Sequence, residues 1–344
     1  MTIDELGEFG LIERIGRSLP ATGRDVLVGI GDDVAVLRGE GDMVWLATCD
    51  VQVEGVHFLR EATGPFDLGR KALAINLSDI ASAAGAPRFA LVSLGLPRGL
   101  DAAFVDGLYA GLGEEARLFG VDVVGGNITS TRHGLFVDIF LLGEAKRDEV
   151  TLRSGARVGD AILVTGSLGD AAAGVALLLD PRLSTSETYA EIARSRRDLP
   201  VPRIGEGRLL GASRKVGAMT DISDGLAGDL GHVCERSGVG ARLKAESLPV
   251  APENRALALE AGRDEWHFAL HGGEDYELLF TAPAQEAPGL ADRIRRETGT
   301  RVSLVGEIVE ARRGTELELP GGRIVPLEAS GWDHLKAGGA EEST

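Results

Sequence analysis

The stretch Asp25–Phe58, DVLVGIGDDVAVLRGEGDMVWLATCDVQVEGVHF, decides how the chain is read. Short apolar, β-branched bursts alternate with Gly-Asp pairs, so the segment reads as strands separated by tight turns. Asp32 and Asp33 sit together in one of those turns, and Asp50 follows WLAT near the end of the next strand. Adjacent carboxylates repel, and a turn that keeps both needs something to offset them. The following PFDLGRKALAINLSDIASAAGA (65–86) reads as a helix, with Pro65 in its first turn and Leu73, Leu77 and Ile80 at i, i+4 and i+7.

Outward from that core, RFALVSLGLP (88–97) reads as a strand. DAAFVDGLYAGLGEEARLFG (101–120) reads as a helix stopped by Gly120, and VDVVGGNITS (121–130) and GLFVDIFLLGEA (134–145) as strands. Residues 1–20 suggest a short amphipathic helix on Leu6, Phe9, Ile12 and Ile15. This order predicts helices covering one face of a mixed sheet. A polar seam near 146–158, in KRDEVTLRSGARVGD, divides an N-terminal α/β domain (1–150) from a C-terminal α+β domain (151–335), and a disordered tail is expected over 336–344. In the second domain DAILVTGSLGDAAAGVALLL (160–179) reads as strand, Gly turn and helix. Residues 181–203 read as a polar, Pro-bounded stretch, and GAMTDISDGLAGDLGHVCERSG (217–238) as a strand running into a helix. FALHGGEDYELLFTAP (268–283) reads as a strand-like hairpin, and a last strand pair precedes ASGWDHL (329–335). The Gly pairs in VVGGNIT and LHGGEDY echo one another weakly.

The 344 residues, 44% hydrophobic, suffice for two domains with a sizeable core. Lys and Arg number 36 against 53 Asp and Glu, a net charge of −17, which argues against non-specific nucleic-acid or anionic-membrane binding. Cys49 and Cys234 form no CxxC, so a disulfide framework and a thiolate zinc site are not expected. An acidic N-terminus without an apolar core reads as no signal peptide, and no apolar run reaches 18 residues, so a cytoplasmic protein without a membrane span is expected.

Familiar nucleotide motifs are missing. No GxxxxGK[ST] occurs, Val34 stands where a dinucleotide fingerprint needs its third Gly, and no GxSxG elbow or kinase HRD/DFG set is present. The chemistry-bearing residues are carboxylates: Asp32, Asp33, Asp50, Asp79 in NLSDIASAAGA, and Asp221 and Asp224 around Ser223 in TDISDGL. Each lies beside apolar sequence, where unpaired charge is costly, with few Lys or Arg nearby. Carboxylates at strand ends suit Mg²⁺, which takes oxygen ligands and phosphate oxygens. Ser223 can donate to a phosphate or cap the next helix, Gly125 and Gly126 allow close backbone approach, and Arg153 offers a fork to phosphate. Taken singly, GDD and GGED are ordinary turns, an Asp before a helix is an N-cap, and His57 and Trp332 are packing residues. Their combined order is what carries information.

GEFGLI, GIGDDVAVL, TCDVQVEGVHF, KALAINLSDIASAAGAP, VVGGNIT, TLRSGARVGDAILVTGSLGDAAAG, DISDGLAGDL, HGGEDYELLF and GWDHL occur in that order over almost the whole chain. The set resembles the thiamine-monophosphate kinase family of the aminoimidazole-ribonucleotide-synthetase-like superfamily. The resemblance implies a homodimer joined through the N-terminal sheet, and transfer from ATP to thiamine monophosphate with several Mg²⁺. It places Asp33, Asp50, Asp79, Asp221 and Asp224 as metal ligands, with Thr48 as a further oxygen and Asp32 as a helping neighbour. Gly126 and Asn127 would form the nucleotide-phosphate turn, Arg153 and Ser223 would contact ATP, and His57, Glu274 and Trp332 the acceptor. Two departures stand out: Asn127 replaces an Asp carried by many members, and Cys49 replaces a hydroxyl residue.

Because the acceptor phosphate is already ionised at neutral pH, no general base or nucleophile is expected, and direct in-line transfer follows. Two alternatives remain at this level: another ATP-dependent synthetase of the superfamily, and a catalytically idle nucleotide-binding protein, which Asn127 alone supports.

Overall fold

The protein's structure, a computed structural model, describes residues 2–328. Trp332, the rest of GWDHL and the tail 336–344 lie outside the described residues. Helix α1 (Ile3–Ser18), opened by a reciprocal Thr2–Glu5 capping box, precedes strands β1 (Val26–Val28), β2 (Ala35–Arg38) and β3 (Met43–Val53). Then come α2 (Pro65–Ser82), β4 (Ala86–Pro97), α3 (Ala102–Phe119), β5 (Asp122–Thr131) and β6 (Phe136–Lys146). Local chemistry sets these helix ends. Pro65 opens α2, Asp101 accepts from the Ala103 N–H at the start of α3, and Gly120 ends α3 in the left-handed region at φ 69°. The strands form one sheet in the order β1-β2-β3-β6-β4-β5, parallel at β4–β5 and antiparallel elsewhere.

The second part holds β7 (Asp160–Thr165), α4 (Asp170–Leu179), α5 (Glu187–Asp198), α6 (Ile204–Ser213), β8 (Met219–Asp221), α7 (Leu226–Ser237) and β9 (Val239–Lys244). It continues through α8 (Pro252–Glu260), α9 (His267–His271), β10 (Leu278–Pro283), α10 (Ala287–Thr298), β11 (Val302–Glu310), β12 (Thr315–Glu318) and β13 (Ile324–Pro326). Its sheet runs β13-β12-β9-β11-β7-β10-β8, parallel only at β12–β9. Strand β7 is buried throughout because both faces are covered. Ala161 and Leu163 enter a core shared with the first sheet and its helices, while Ile162 and Val164 enter a second core with Leu226, Leu230 and Val233 of α7.

One reading of the sequence is corrected here. Residues 268–283 are not a hairpin: 268–271 belong to α9, and only β10 is a strand, paired with β7 and β8. The polar, Pro-bounded residues 181–203 hold helix α5, which Ser186 caps. Helix α10 also escaped the sequence reading. Among the described residues, no helix is long and apolar enough to cross a membrane.

Helix α2 lies between the two parts, and its neighbours approach at backbone distance. A Cβ on Gly111 of α3 would sit 1.8 Å from the Phe66 carbonyl oxygen, and one on Gly207 of α6 would sit 2.1 Å from that of Ala81. Replacing a helical Gly by Ala gains about 1 kcal/mol in propensity. Overpacking costs about 1–3 kcal/mol, and here the obstructing atom is backbone that cannot rotate away. The clash therefore wins. Gly111→Ala is expected to lower stability by about 2 kcal/mol in denaturant unfolding; a rise in the unfolding midpoint would contradict the tight α2–α3 contact.

Candidate active site

The period of strand β3 explains which of its residues can meet the helix. Val44, Leu46, Thr48, Asp50 and Gln52 alternate toward α2, whereas Cys49 and Val51 point to the opposite face. Asp79 therefore faces Thr48, whose hydroxyl donates to its Oδ2 at 2.5 Å. Polar residues of α2 hold the other chain segments: Asn76 accepts from the Asp50 N–H at 3.0 Å, Ser78 donates to Asp221 Oδ2 at 2.6 Å, and Ser82 donates to Asp33 Oδ2 at 2.7 Å. One helix so gathers the β1–β2 turn, the end of β3 and the end of β8.

The result is a cavity of about 2350 Å³ lined by Asp32, Asp33, Thr48, Asp50, Asp79, Asp221, Ser223 and Asp224, together with Arg153, His57 and Glu274. One oxygen each from Asp33, Asp79 and Asp221 lies within 4.8 Å of the others. Cations are few but present, and they are paired: Arg153 with Asp33 at 2.5 Å and Lys71 with Glu274 at 2.7 Å. Asp32 is stitched to Arg153 through the latter's backbone N–H, 3.3 Å from each carboxylate oxygen. His57 accepts at Nδ1 from the Val53 N–H at 3.0 Å, which leaves Nε2 as the ring's other hydrogen-bonding atom.

The charge density shows in the titration of the acids. Burial, then Asp33, pushes Asp32 up to about 6 and Asp221 up to about 7. Asp79 also moves up, through burial and then Asp50, Asp221 and Asp33. Asp229 on α7, which the sequence reading did not single out, accepts from the Ser223 and Asp224 N–H groups at 3.1 Å each, and so shapes the loop carrying both. That loop is not capped by Ser223: the N-cap of α7 is Gly225, without a side-chain bond.

Gly126 and Asn127 are not among the residues lining this cavity. They lie within β5, where Asn127 is in register with Ser93, and Ser93 with Asp138, on the sheet face opposite α2. Gly126 is explained by packing, since a Cβ there would sit 1.8 Å from the Val92 carbonyl oxygen beside the irregularity at Ala90/Leu91. Cys49 shares that outer face and donates to Asp138 at 3.1 Å. Burial and then Asp138 push its thiol up to about 12, so it is no nucleophile. The Gly pair at 272–273 follows α9 in a loop, a different setting from β5, so the echo between the two sequences has no structural counterpart. Asn76, Ser78 and Ser82 were visible as polar breaks in the apolar stripe of α2, the one available signal for them.

Two sheets with this connectivity around a carboxylate cleft define a class. The family model described as AIR synthase related protein, N-terminal domain, matches residues 31–145, and its C-terminal counterpart matches 157–317. The thiamine-monophosphate kinase of Aquifex aeolicus (strain VF5) is 38% identical over 318 residues, covering 91% of this chain and 98% of the relative. That of Bacillus subtilis (strain 168) is 35% identical over 335 residues, covering 96% and 100%. The solved structure of AaThiL complexed with AMPPCP and TMP matches at a TM-score of 0.81 and 35% identity, over 97% of this chain and 99% of that one. The chain belongs to the thiamine-monophosphate kinase family.

The raised acids give the metal-free protein a definite pH response. Above about pH 4 the unfolded chain has lost these protons, while folded Asp32 and Asp221 hold them until about 6 and about 7. The folded state binds more protons in that window, so stability falls as pH rises through it. In metal-free buffer, wild type is expected to lose a few degrees of melting temperature relative to Asp221→Asn between pH 4.5 and 7.5. Parallel curves for the two proteins would show that Asp221 carries no such shift.

Proposed function

We propose that the chain transfers the γ-phosphoryl group of ATP to the phosphate of thiamine monophosphate, giving ADP and thiamine diphosphate, in the cytoplasm. One observation carries the reading: Asp33, Asp79 and Asp221 converge with oxygens within 4.8 Å of one another at the wall of a large cavity. Support comes also from AaThiL, a 35% identical protein complexed with AMPPCP and TMP.

The donor set fits a hard divalent cation. It is all oxygen and acidic, and burial and mutual repulsion raise Asp79 and Asp221 as expected for acids lacking enough counter-charge. Asp33, Asp79 and Asp221 would hold Mg²⁺, with Asp32, Thr48, Asp50 and Asp224 as further oxygen donors. Bound Mg²⁺ supplies charge neutralisation between the triphosphate and the acceptor phosphate. The protein's own groups align the reactants: Arg153, paired with Asp33, and Ser223 face the nucleotide, while His57, Glu274 and Trp332 hold the acceptor. An acceptor phosphate oxygen attacks the γ-phosphorus, the bond to the β–γ bridging oxygen breaks, and no proton has to move.

The assignment of Asn127 to the nucleotide points to a second copy, because Asn127 lies on the far face of the sheet from Asp50, whereas its neighbour Gly126 shares the row of Val92, Ile139 and Asp50. That face carries exposed Val51, Leu91 and Phe140, an apolar surface suited to pairing two N-terminal domains (1–150) into a homodimer, with residues 151–335 forming the C-terminal domain. Asn127 would then meet nucleotide held in the partner's cavity, with Gly126 letting the strand pack closely on Val92 beside it.

An ADP-release assay with product identification by mass tests the reaction: thiamine diphosphate is expected from thiamine monophosphate and ATP, and not from thiamine. Asp79→Asn is expected to lower kcat on the order of a hundredfold, since it removes a central carboxylate, whereas Asn127→Asp changes it far less. Comparable losses in both would remove the distinction drawn between the two positions. Asn127→Arg is expected to block a site in trans. Mixing it with Asp79→Asn after dissociation should then restore roughly a quarter of the wild-type rate, because half of the reassociated dimers keep one intact site; no recovery would place both residues in one site of the same chain.

A further inference from the structure

We propose that Lys71 is a positioning residue for the acceptor: it fixes the Glu274 carboxylate so that one oxygen is engaged from inside the protein and the other receives an N–H of the acceptor's ring. The inference rests on the kinase reading and assigns a residue that reading leaves out. Lys71 is only 2% exposed, yet it stands on the cavity side of α2 with Ile75 and Asp79 at i, i+4 and i+8. At 1.5 Å per residue its Cα is about 12 Å along the helix from that of Asp79. Its ammonium is engaged by Glu274 Oε1 at 2.7 Å, and Glu274 keeps 22% of its side chain exposed toward the cavity.

The loop that carries Glu274 is held with unusual care. Glu274 and Tyr276 both lie in the left-handed region, at φ 69° and 50°. The Glu274 N–H donates to the Ser223 carbonyl at 2.8 Å. The alternate residues are anchors. Asp275 accepts from the Gly169 N–H at 2.8 and 3.0 Å, and Glu277 accepts from Thr165 and Arg203, each at 2.6 Å. Residues in such backbone conformations persist where the surroundings over-determine them, and they cluster where a side chain must be aimed. Stability alone does not account for the pair, because a buried ion pair is often replaceable by apolar residues of similar volume without loss. Aiming a carboxylate at a substrate does. Phe268, Ala172 and Val175 form apolar wall of the same cavity. A fixed carboxylate beside such a wall suits a ring with N–H donors and repels a phosphate. The acceptor's ring therefore lies at this end and its phosphate toward Asp79.

The test is steady-state kinetics on the full-length enzyme with ATP and thiamine monophosphate varied separately. Lys71→Met is expected to raise KM for thiamine monophosphate at least about tenfold, the scale of one charge-assisted hydrogen bond, with kcat and KM for ATP within about twofold. Glu274→Gln should raise the same KM, and Lys71→Met added to it should do nothing more, because Lys71 acts through Glu274. An unchanged KM, equal rises for both substrates, or multiplying effects in the double variant would overturn the assignment. Should Lys71→Met fail to fold, Lys71→Gln with Glu274→Gln, which preserves a neutral hydrogen bond, is compared with Glu274→Gln alone. Equal KM values are expected, and a further rise overturns the proposal. Wild-type enzyme that releases no ADP with thiamine monophosphate would defeat the kinase reading itself, before Lys71 is tested.

Discussion

The structure depends on one constraint: carboxylates from three separate chain segments must converge on helix α2 without unfolding the core around it. The helix meets it with short polar side chains set into an otherwise apolar surface. Ser78, Ser82 and Asn76 bind Asp221, Asp33 and the Asp50 backbone, while Leu73, Leu77 and Ile80 are fully buried. Hydrogen bonds to the ionised form lower the cost of burying each acid, but they do not cancel it, and Asp221 remains pushed up to about 7. The strain left over is what a divalent cation can relieve. In the proposed kinase, cation affinity and the instability of the metal-free protein would thus have one origin.

The same helix dictates the tight packing of the molecule. Its neighbours α3 and α6 come close enough that only Gly fits at positions 111 and 207. Close backbone approach leaves α2 little freedom to tilt, and a small rotation would separate Asp79 from Thr48 and Asp50. Because α2 packs against both sheets, the β8 end with Asp221 is placed relative to β3 by the shared core, which includes Met219, Leu278 and Phe280 from the second sheet. Rigidity of the scaffold and precision of the cluster are therefore one property.

The sheet face turned away from α2 follows a different logic. A row through Val51, Asp138, Ser93 and Asn127 mixes polar groups into an apolar surface. Such a face is neither a core nor an ordinary solvated surface. In the proposed dimer it would serve twice, burying its apolar members between copies and delivering Asn127 to a nucleotide. A neutral Asn at that position adds no charge to a site already crowded with acids.

The sequence by itself determined most elements of the first sheet and its helices, because apolar periods, Pro65, Asp101 and Gly120 act locally. It also marked the acids, since paired Asp residues beside apolar runs are conspicuous in any linear reading. It failed where local signals conflict with tertiary context. The 268–271 stretch is apolar enough for a strand but becomes α9, and the GGEDYE loop takes left-handed conformations at Glu274 and Tyr276 that no propensity would assign. Lys71 was hidden for a related reason: in a helix an isolated lysine reads as solvated, and only folding puts a carboxylate 2.7 Å from its ammonium. The sidedness of Asn127 likewise could not be read, because the face a strand residue occupies depends on register and on the bulge at Val124, where β5 carries one residue more than β4. Sequence fixes which groups exist and how each turn and helix begins; which of them share a face, a cavity or a charge is decided by long-range packing alone.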